Sequence, residues 1–123
     1  MSRRPTPVRG DIWDAYLDPP VGREQGGRRP VLVISNDHLN LSTSQLCVIV
    51  PITTRDRGVP AHPSLSPGEG GLERPSFMLC DQVRSISHER LRHFRGRVSP
   101  ETVGHAIEIV SVLLEELNTD DRG

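Results

Sequence analysis

Pro30-Val31-Leu32-Val33-Ile34 and, after a polar connection, Leu46-Cys47-Val48-Ile49-Val50 are the stretches on which the fold turns. Both are apolar without interruption, rich in β-branched residues and no longer than a strand. A run of this kind, lacking alternation, is what a strand buried on both faces carries. The two are therefore expected to pair as central strands, joined through Asn36-Asp37-His38 and Asn40 to Ser44. Upstream, Ile12 to Leu17 contains Trp13 and Tyr16 and stops at Asp18-Pro19-Pro20, because proline cannot donate to a sheet ladder. Between these strands lies Pro19 to Arg28, a glycine-flanked polar loop expected to be mobile. Downstream, Pro51-Ile52 leads to Thr53 and Thr54 at a strand exit, a position from which hydroxyls can face a cleft.

Residues 55–75 are rich in Arg, Pro and Gly, so only one short edge strand is expected there, within Val59 to Leu65, with Gly68 to Gly71 as a flexible turn. Ser76 to Ser85 reads as one strand, His88 to Leu91 as a turn and Phe94 to Val98 as a short last strand, giving five or six strands in all. Ser99-Pro100-Glu101 then combines a cap, a proline at the first helical position and an acid in the first turn. The predicted helix runs to about Leu117. Its stripe of Val103, Ala106, Ile107, Val110, Leu113, Leu114 and Leu117 is widened by Ile109 and Val112, more than one packing face requires. The excess suits a second contact surface, such as a dimer partner. Together these elements predict a mainly β fold, a small bent antiparallel sheet or partly closed barrel with a C-terminal helix packed on it.

The 123 residues fit a single domain, 1–123, with a core from about 8 to 117 and polar ends. Leu, Ile, Val and Phe number 33, above the roughly 20% below which a chain stays disordered. Cys47 and Cys80 lie inside apolar runs and outside any CxxC pair, which predicts buried free thiols. Neither a secretory leader nor an apolar stretch long enough for a membrane span is visible, so a soluble, cytoplasmic protein is expected. All 15 cations are arginine. Fourteen of them fall in residues 1–97 against ten acids, while residues 98–123 carry one against six. A net charge of −1 thus hides a basic body, which is either an anion site or the trace of a coding bias that replaces lysine by arginine.

Several chemistries are disfavoured by the same reading. Neither GxxxxGK[ST] nor GxGxxG occurs, and His88 and His93 have no cysteine near enough for a zinc pattern, so no metal and no cofactor are expected. Four aromatics are too few for a base-stacking platform, the more so because Trp13 and Phe77 suit the core. A nucleic acid would have to be held by arginine and polar groups. The segment that stands out is Gly22 to Pro30, which delivers Arg29 to the first turn of a buried strand. Preceding proline, Arg29 is biased towards extended backbone, so its side chain leaves from a fixed base. Its fork suits a phosphate, or equally a structural pairing with Glu24 or Asp81.

The ordered set Arg9-Gly10-Asp11-Ile12-Trp13, Asp18-Pro19, Gly22 to Gly27, Arg29 to Asp37, Pro51-Ile52-Thr53-Thr54 and Asp81-Gln82-Val83-Arg84 resembles the MazF/PemK-type toxins from about Arg9 to Leu117. The resemblance implies a homodimer of SH3-like barrels, related in fold to the gyrase poison CcdB, that cuts single-stranded RNA without metal and is blocked by an antitoxin. It implies catalysis by Arg29 and Thr53. RNA contacts, or a role in shaping the site, fall to Arg23, Glu24, Gln25 and Asp81-Gln82-Val83; Thr54, His62 and Arg84 are further candidates for RNA contact. Expected products are a 2′,3′-cyclic phosphate and a 5′-hydroxyl. The general base stays open, with Glu24 and His62 as local alternatives and His62 equally readable as a loop residue. Where the family usually carries Gly-Ser-Glu-Gln, this chain has Arg23 in place of the serine, which either adds a phosphate contact or swings into solvent. Other readings are a non-enzymatic gyrase poison, disfavoured by an end reading Asp121-Arg122-Gly123 rather than Trp-Gly-Ile, and an inactive paralogue that keeps only antitoxin binding.

Overall fold

The computed structural model describes residues 6–116. The central pair is as expected: β2 (Gly27–Val33) runs antiparallel to β3 (Leu46–Thr53), with Leu32 opposite Val50. Alternation divides their side chains between two cores. Leu32, Ile34, Val50 and Ile52 join Val103, Ala106 and Val110 of the C-terminal helix α2 (Pro100–Leu114), whereas Val31, Val33, Cys47 and Ile49 meet Trp13, Ala15 and Leu17 on the other face. Two buried faces explain the unbroken apolar runs, since each such side chain withdrawn from water contributes about 1.5 to 3 kcal/mol. β1 (Asp11–Leu17) lies on the far side of β2 and carries β7 (Leu91–Arg97) on its outer edge.

The second edge of β3 is shared by two strands. β6 (Arg84–Ser87) covers its first half and β5 (Ser76–Met78) its last two residues, with Thr53 opposite Phe77. Ser76 to Ser85 is therefore not one strand. The tight turn Cys80–Gln82 interrupts it and lifts Asp81 and Gln82 off the sheet edge. β4 is only Ser64–Leu65, shorter than the edge strand expected within Val59 to Leu65, and pairs with β5. The strand order is β4-β5-β3-β2-β1-β7, with β6 also on β3, so the count is seven rather than five or six.

The sheet curls into half a barrel, because the turn Glu69–Gly71 that follows β4 packs on β7 at the other end of the order. A methyl group on Gly96 would sit 2.9 Å from the Gly70 carbonyl carbon, and one on Gly71 would strike the Arg95 carbonyl. The glycine cluster expected to be a flexible turn is thus wedged between the two ends of the sheet. Ser99 caps α2, accepting the Thr102 N–H at 3.2 Å as its sequence predicts. The helix stops at Leu114, short of the expected Leu117, which lies outside the described residues together with 118–123. The connection after β2 holds a helical turn, α1 (Asp37–Asn40), capped by Asn36, that propensity alone does not announce. His88 to Leu91, expected as a turn, is one through Arg90, and the last strand starts early, at Leu91. Phe77 is only half-buried, and the fuller aromatic contact is Trp13 on Phe94, edge to face at 5.5 Å. Among the described residues no helix is long and apolar enough to cross a membrane.

Candidate active site

Successive residues at the end of β3 open onto three cavities: Thr53 and Thr54 onto the first, Pro51 onto the second, and Arg55, just beyond the strand, onto the third. The register that sets Val31 opposite Pro51 brings Arg29, two residues earlier, beside Thr53, two residues later. Both line the first cavity, about 240 Å³, together with Thr54, Glu73, Arg74 and Arg95. Arg29 is held by its Nε, which donates to the Gly26 carbonyl at 3.0 Å, so its two terminal nitrogens are left for a ligand. The structural pairing with Glu24 or Asp81 that sequence allowed is not made. Gly26 is a glycine for a steric reason. A methyl group there would lie 2.6 Å from the Asp18 carbonyl oxygen and collide with Pro20, across which the loop folds. Thr53 is almost buried, and its Oγ1 accepts the Arg55 N–H at 3.2 Å. Its one hydroxyl hydrogen is thereby directed elsewhere.

The second cavity, about 460 Å³, is lined by Glu24, Gln25, Gln82 and Arg84. Gln82 Oε1 accepts the Gln25 N–H at 2.8 Å, and Gln82 Nε2 donates to the Arg23 carbonyl at 3.4 Å, so this side chain ties the loop after β1 to the turn after β5. The loop read as mobile is fastened at Arg23 and Gln25. Glu24 Oε1 accepts the Val21 N–H and staples the same loop internally. Gln25 Oε1 is buried without a partner. Arg84 reaches Asp18 at 3.5 Å, an exposed pair that Arg90 shares at 3.0 Å and that contributes little to stability.

The third cavity, about 500 Å³, takes Arg23, Arg55, Arg57, His62, Asp81 and Gln82. His62 is buried, its side chain 3% exposed, with Nε2 on Asp81 Oδ1 at 2.8 Å and Nδ1 unpartnered. Below the turn, burial and the neighbouring Asp81 charge push the Cys80 thiol up to about 11. Arg23, Arg29, Arg55, Arg57 and Arg74 form no ion pair with the described residues, so the first and third openings present uncompensated guanidinium groups.

The structure thus divides the sequence-predicted residues. Arg29, Thr53 and Thr54 share one cavity; Glu24, Gln25 and Arg84 share the second; Arg23 and His62 share the third, with Gln82 on the wall between the last two. Neither Glu24 nor His62, the two local candidates for general base, lines the cavity of Arg29 and Thr53. Glu73, Arg74 and Arg95 were not singled out by sequence. They come from chain 20 or more residues beyond Thr53, and only the β3–β5 pairing and the closure onto β7 bring them in. Among the described residues no group of three His, Cys, Asp or Glu is placed to hold a metal ion.

Comparison with known proteins gives a consistent answer. The chain is 40% identical over 107 residues to the endoribonuclease EndoA of Bacillus subtilis (strain 168), covering 86% of this chain and 92% of that one. Its structure is similar to MazF from Deinococcus radiodurans, with a TM-score of 0.76 at 28% identity over 89% of this chain and 96% of that one. It is also similar to a chain of the MazE-MazF crystal structure from the same organism, with a TM-score of 0.72 at 28% identity and the same coverage. The family model for PemK-like, MazF-like toxins of type II toxin-antitoxin systems matches residues 8–114, and with the whole half-barrel inside that match the chain belongs to this family.

Proposed function

We propose that this protein is a toxin acting as an endoribonuclease, that Arg29 and Thr53 are its catalytic pair, and that single-stranded RNA is the substrate. The observation that carries the reading is the side-by-side placement of Arg29 and Thr53 on adjacent strands in one cavity, each with its free donors unspent. In this reaction the ribose 2′-hydroxyl attacks the adjacent phosphorus, the bond to the 5′-oxygen breaks, and the products are a 2′,3′-cyclic phosphate and a 5′-hydroxyl. The nucleophile belongs to the substrate, so the protein needs only to orient it, move protons and stabilise charge, and no metal is required. Arg29 spans two phosphate oxygens with its terminal nitrogens. Thr53 donates its hydroxyl hydrogen to an oxygen whose charge grows in the transition state, where losing one such donor costs about 10² to 10³ in rate.

The arginines of the third cavity, with Gln25, Gln82 and Arg84 in the second, hold flanking nucleotides. Cuts then fall at a defined short sequence, and growth stops because translation loses its templates. Val112, Leu113 and Leu114 leave apolar surface on α2 beyond what the sheet covers, which supports a homodimer. The family's type II toxin-antitoxin description and the similarity to a MazE-MazF structure support an antitoxin partner. An acidic antitoxin segment meets the sign of the uncompensated arginines. The protein acts in the cytoplasm, where its RNA is.

The test is to incubate wild-type protein and Arg29→Ala with a sequence-diverse single-stranded RNA pool in EDTA, then map the cut ends. Cuts at one short motif, bearing cyclic-phosphate ends and absent with Arg29→Ala, are expected. An RNA pool left intact by folded wild-type protein overturns the proposal.

A further inference from the structure

The cavity around Arg29 and Thr53 is supplied with donors and nearly devoid of acceptors. A guanidinium group presents five N–H donors and no lone pair, so Arg29, Arg74 and Arg95 are not suited to take a proton from a ribose hydroxyl. Thr53 Oγ1 already accepts from the Arg55 N–H. One carboxylate lines the cavity, that of Glu73. We propose that Glu73 is the general base that accepts the 2′-hydroxyl proton, an assignment that rests on the endoribonuclease reading above.

The other carboxylates near the site are engaged and face elsewhere. Glu24 accepts the Val21 N–H at 3.2 Å, Asp81 is on His62 at 2.8 Å, and Asp14 is on Arg95 at 3.4 Å; none of the three lines this cavity. Glu73, by contrast, is exposed and makes no side-chain hydrogen bond with the described residues. Its backbone is nevertheless fixed. Leu72 on one side is buried, and the Arg74 carbonyl on the other accepts the hydroxyl of the buried Ser76 at 2.9 Å. The segment is therefore anchored while the carboxylate is free to meet a ligand, which is the arrangement a proton acceptor needs.

The step balances without a further reactant. The 2′-hydroxyl proton passes to the Glu73 carboxylate as the 2′-oxygen bonds to phosphorus. The phosphorus–5′-oxygen bond breaks and the 5′-oxygen takes a proton from water. Glu73 then returns its proton to solvent. Charged groups facing the carboxylate across the cavity are Arg29 on β2, Arg74 beside it and Arg95 on β7, the last already paired with Asp14. Guanidinium groups stay charged over the working pH range, so none of the three arginines competes for the proton.

The experiment is single-turnover cleavage of a short RNA containing the wild-type cut site, from pH 5 to 9, by wild type, Glu73→Gln and Glu73→Asp. Affinity is measured in parallel on the same RNA with a 2′-deoxy sugar at the cut. Expected are a loss of roughly 10² to 10⁴ in rate for Glu73→Gln, partial recovery in Glu73→Asp and affinity within about threefold of wild type. A Glu73→Gln rate within threefold of wild type, or a loss matched by lost affinity for the deoxy RNA, overturns the assignment while the enzyme stands. Wild-type protein that leaves the RNA whole overturns the endoribonuclease reading and this assignment with it.

Discussion

Gln82 Oε1 accepts the backbone N–H of Gln25 at 2.8 Å, across 57 residues of chain, and this contact fixes the loop that leads into Arg29 against the turn that follows β5. A neutral hydrogen bond of this kind contributes about 1 kcal/mol. Gln82→Ala is expected to lower amide-exchange protection at Gln25 by about fivefold and to slow RNA cleavage with little change in Tm. Unchanged exchange at Gln25 would show that the loop is held without this side chain.

Gly26 should tolerate no side chain. With Pro20 and the Asp18 carbonyl in the space a methyl group would take, Gly26→Ala must move the loop and withdraw the carbonyl that orients Arg29 Nε. Cleavage is expected to drop by about tenfold or more, in line with the sensitivity of reactions to misplacement, while thermal unfolding shifts by only a few degrees. Wild-type turnover in this variant would mean that Arg29 is positioned by something else.

Glu69 couples the barrel-closing turn to the start of α2. Hydrogen bonds from Thr102, chiefly, and from Ser99 hold its carboxyl below the usual range, against a smaller opposing effect of burial. A carboxyl lowered in the folded state adds stability that is present above its unfolded value and is lost as pH falls through its folded value. The Tm difference between wild type and Glu69→Gln should therefore shrink on acidification from pH 6 to pH 3. A difference that stays constant would show that the charge has no part in closing the barrel.

The two thiols give the alkaline counterpart. Burial pushes Cys47 up to about 12 from its ordinary 9.0, and Cys80 up to about 11. A raised value means full stability below the ordinary thiol range, lost as pH rises through the folded value. Native protein should resist alkylation at pH 8 and label at both cysteines once unfolded. Between pH 9 and pH 12 the wild-type Tm should fall more steeply than that of Cys47→Ala. Parallel slopes would exclude a contribution from Cys47.

Much of this was legible in order along the chain. Pro30 to Ile34 and Leu46 to Val50 announced a strand pair with two buried faces, and the two cores bear that out for Val31 to Ile34, Cys47, Ile49 and Val50, while Leu46 stays exposed. Ser99-Pro100-Glu101 announced the helix start because capping is local chemistry. Legibility failed where geometry depends on a distant segment. Ser76 to Ser85 reads as a continuous strand, but the edge of β3 is shared between β5 and β6, and the turn at Cys80–Gln82 is what that sharing requires. Likewise the glycines at 68–71 read as a flexible turn, and only the approach of β1 and β7 shows that close packing demands Gly70 and Gly71.

The sequence by itself determined the strand pair, the helix and its cap, the family and the identity of Arg29 and Thr53 as the residues to examine, because periodicity, capping and an ordered set of motifs are properties of near neighbours in the chain. Tertiary structure alone decided that Arg29 and Thr53 open onto a different cavity from Glu24 and His62, and that Glu73, Arg74 and Arg95 complete it. A cavity is bounded by whichever segments the curl of the sheet brings together. That curl follows from long-range pairing and from the packing of one sheet end on the other, which no local stretch of sequence encodes.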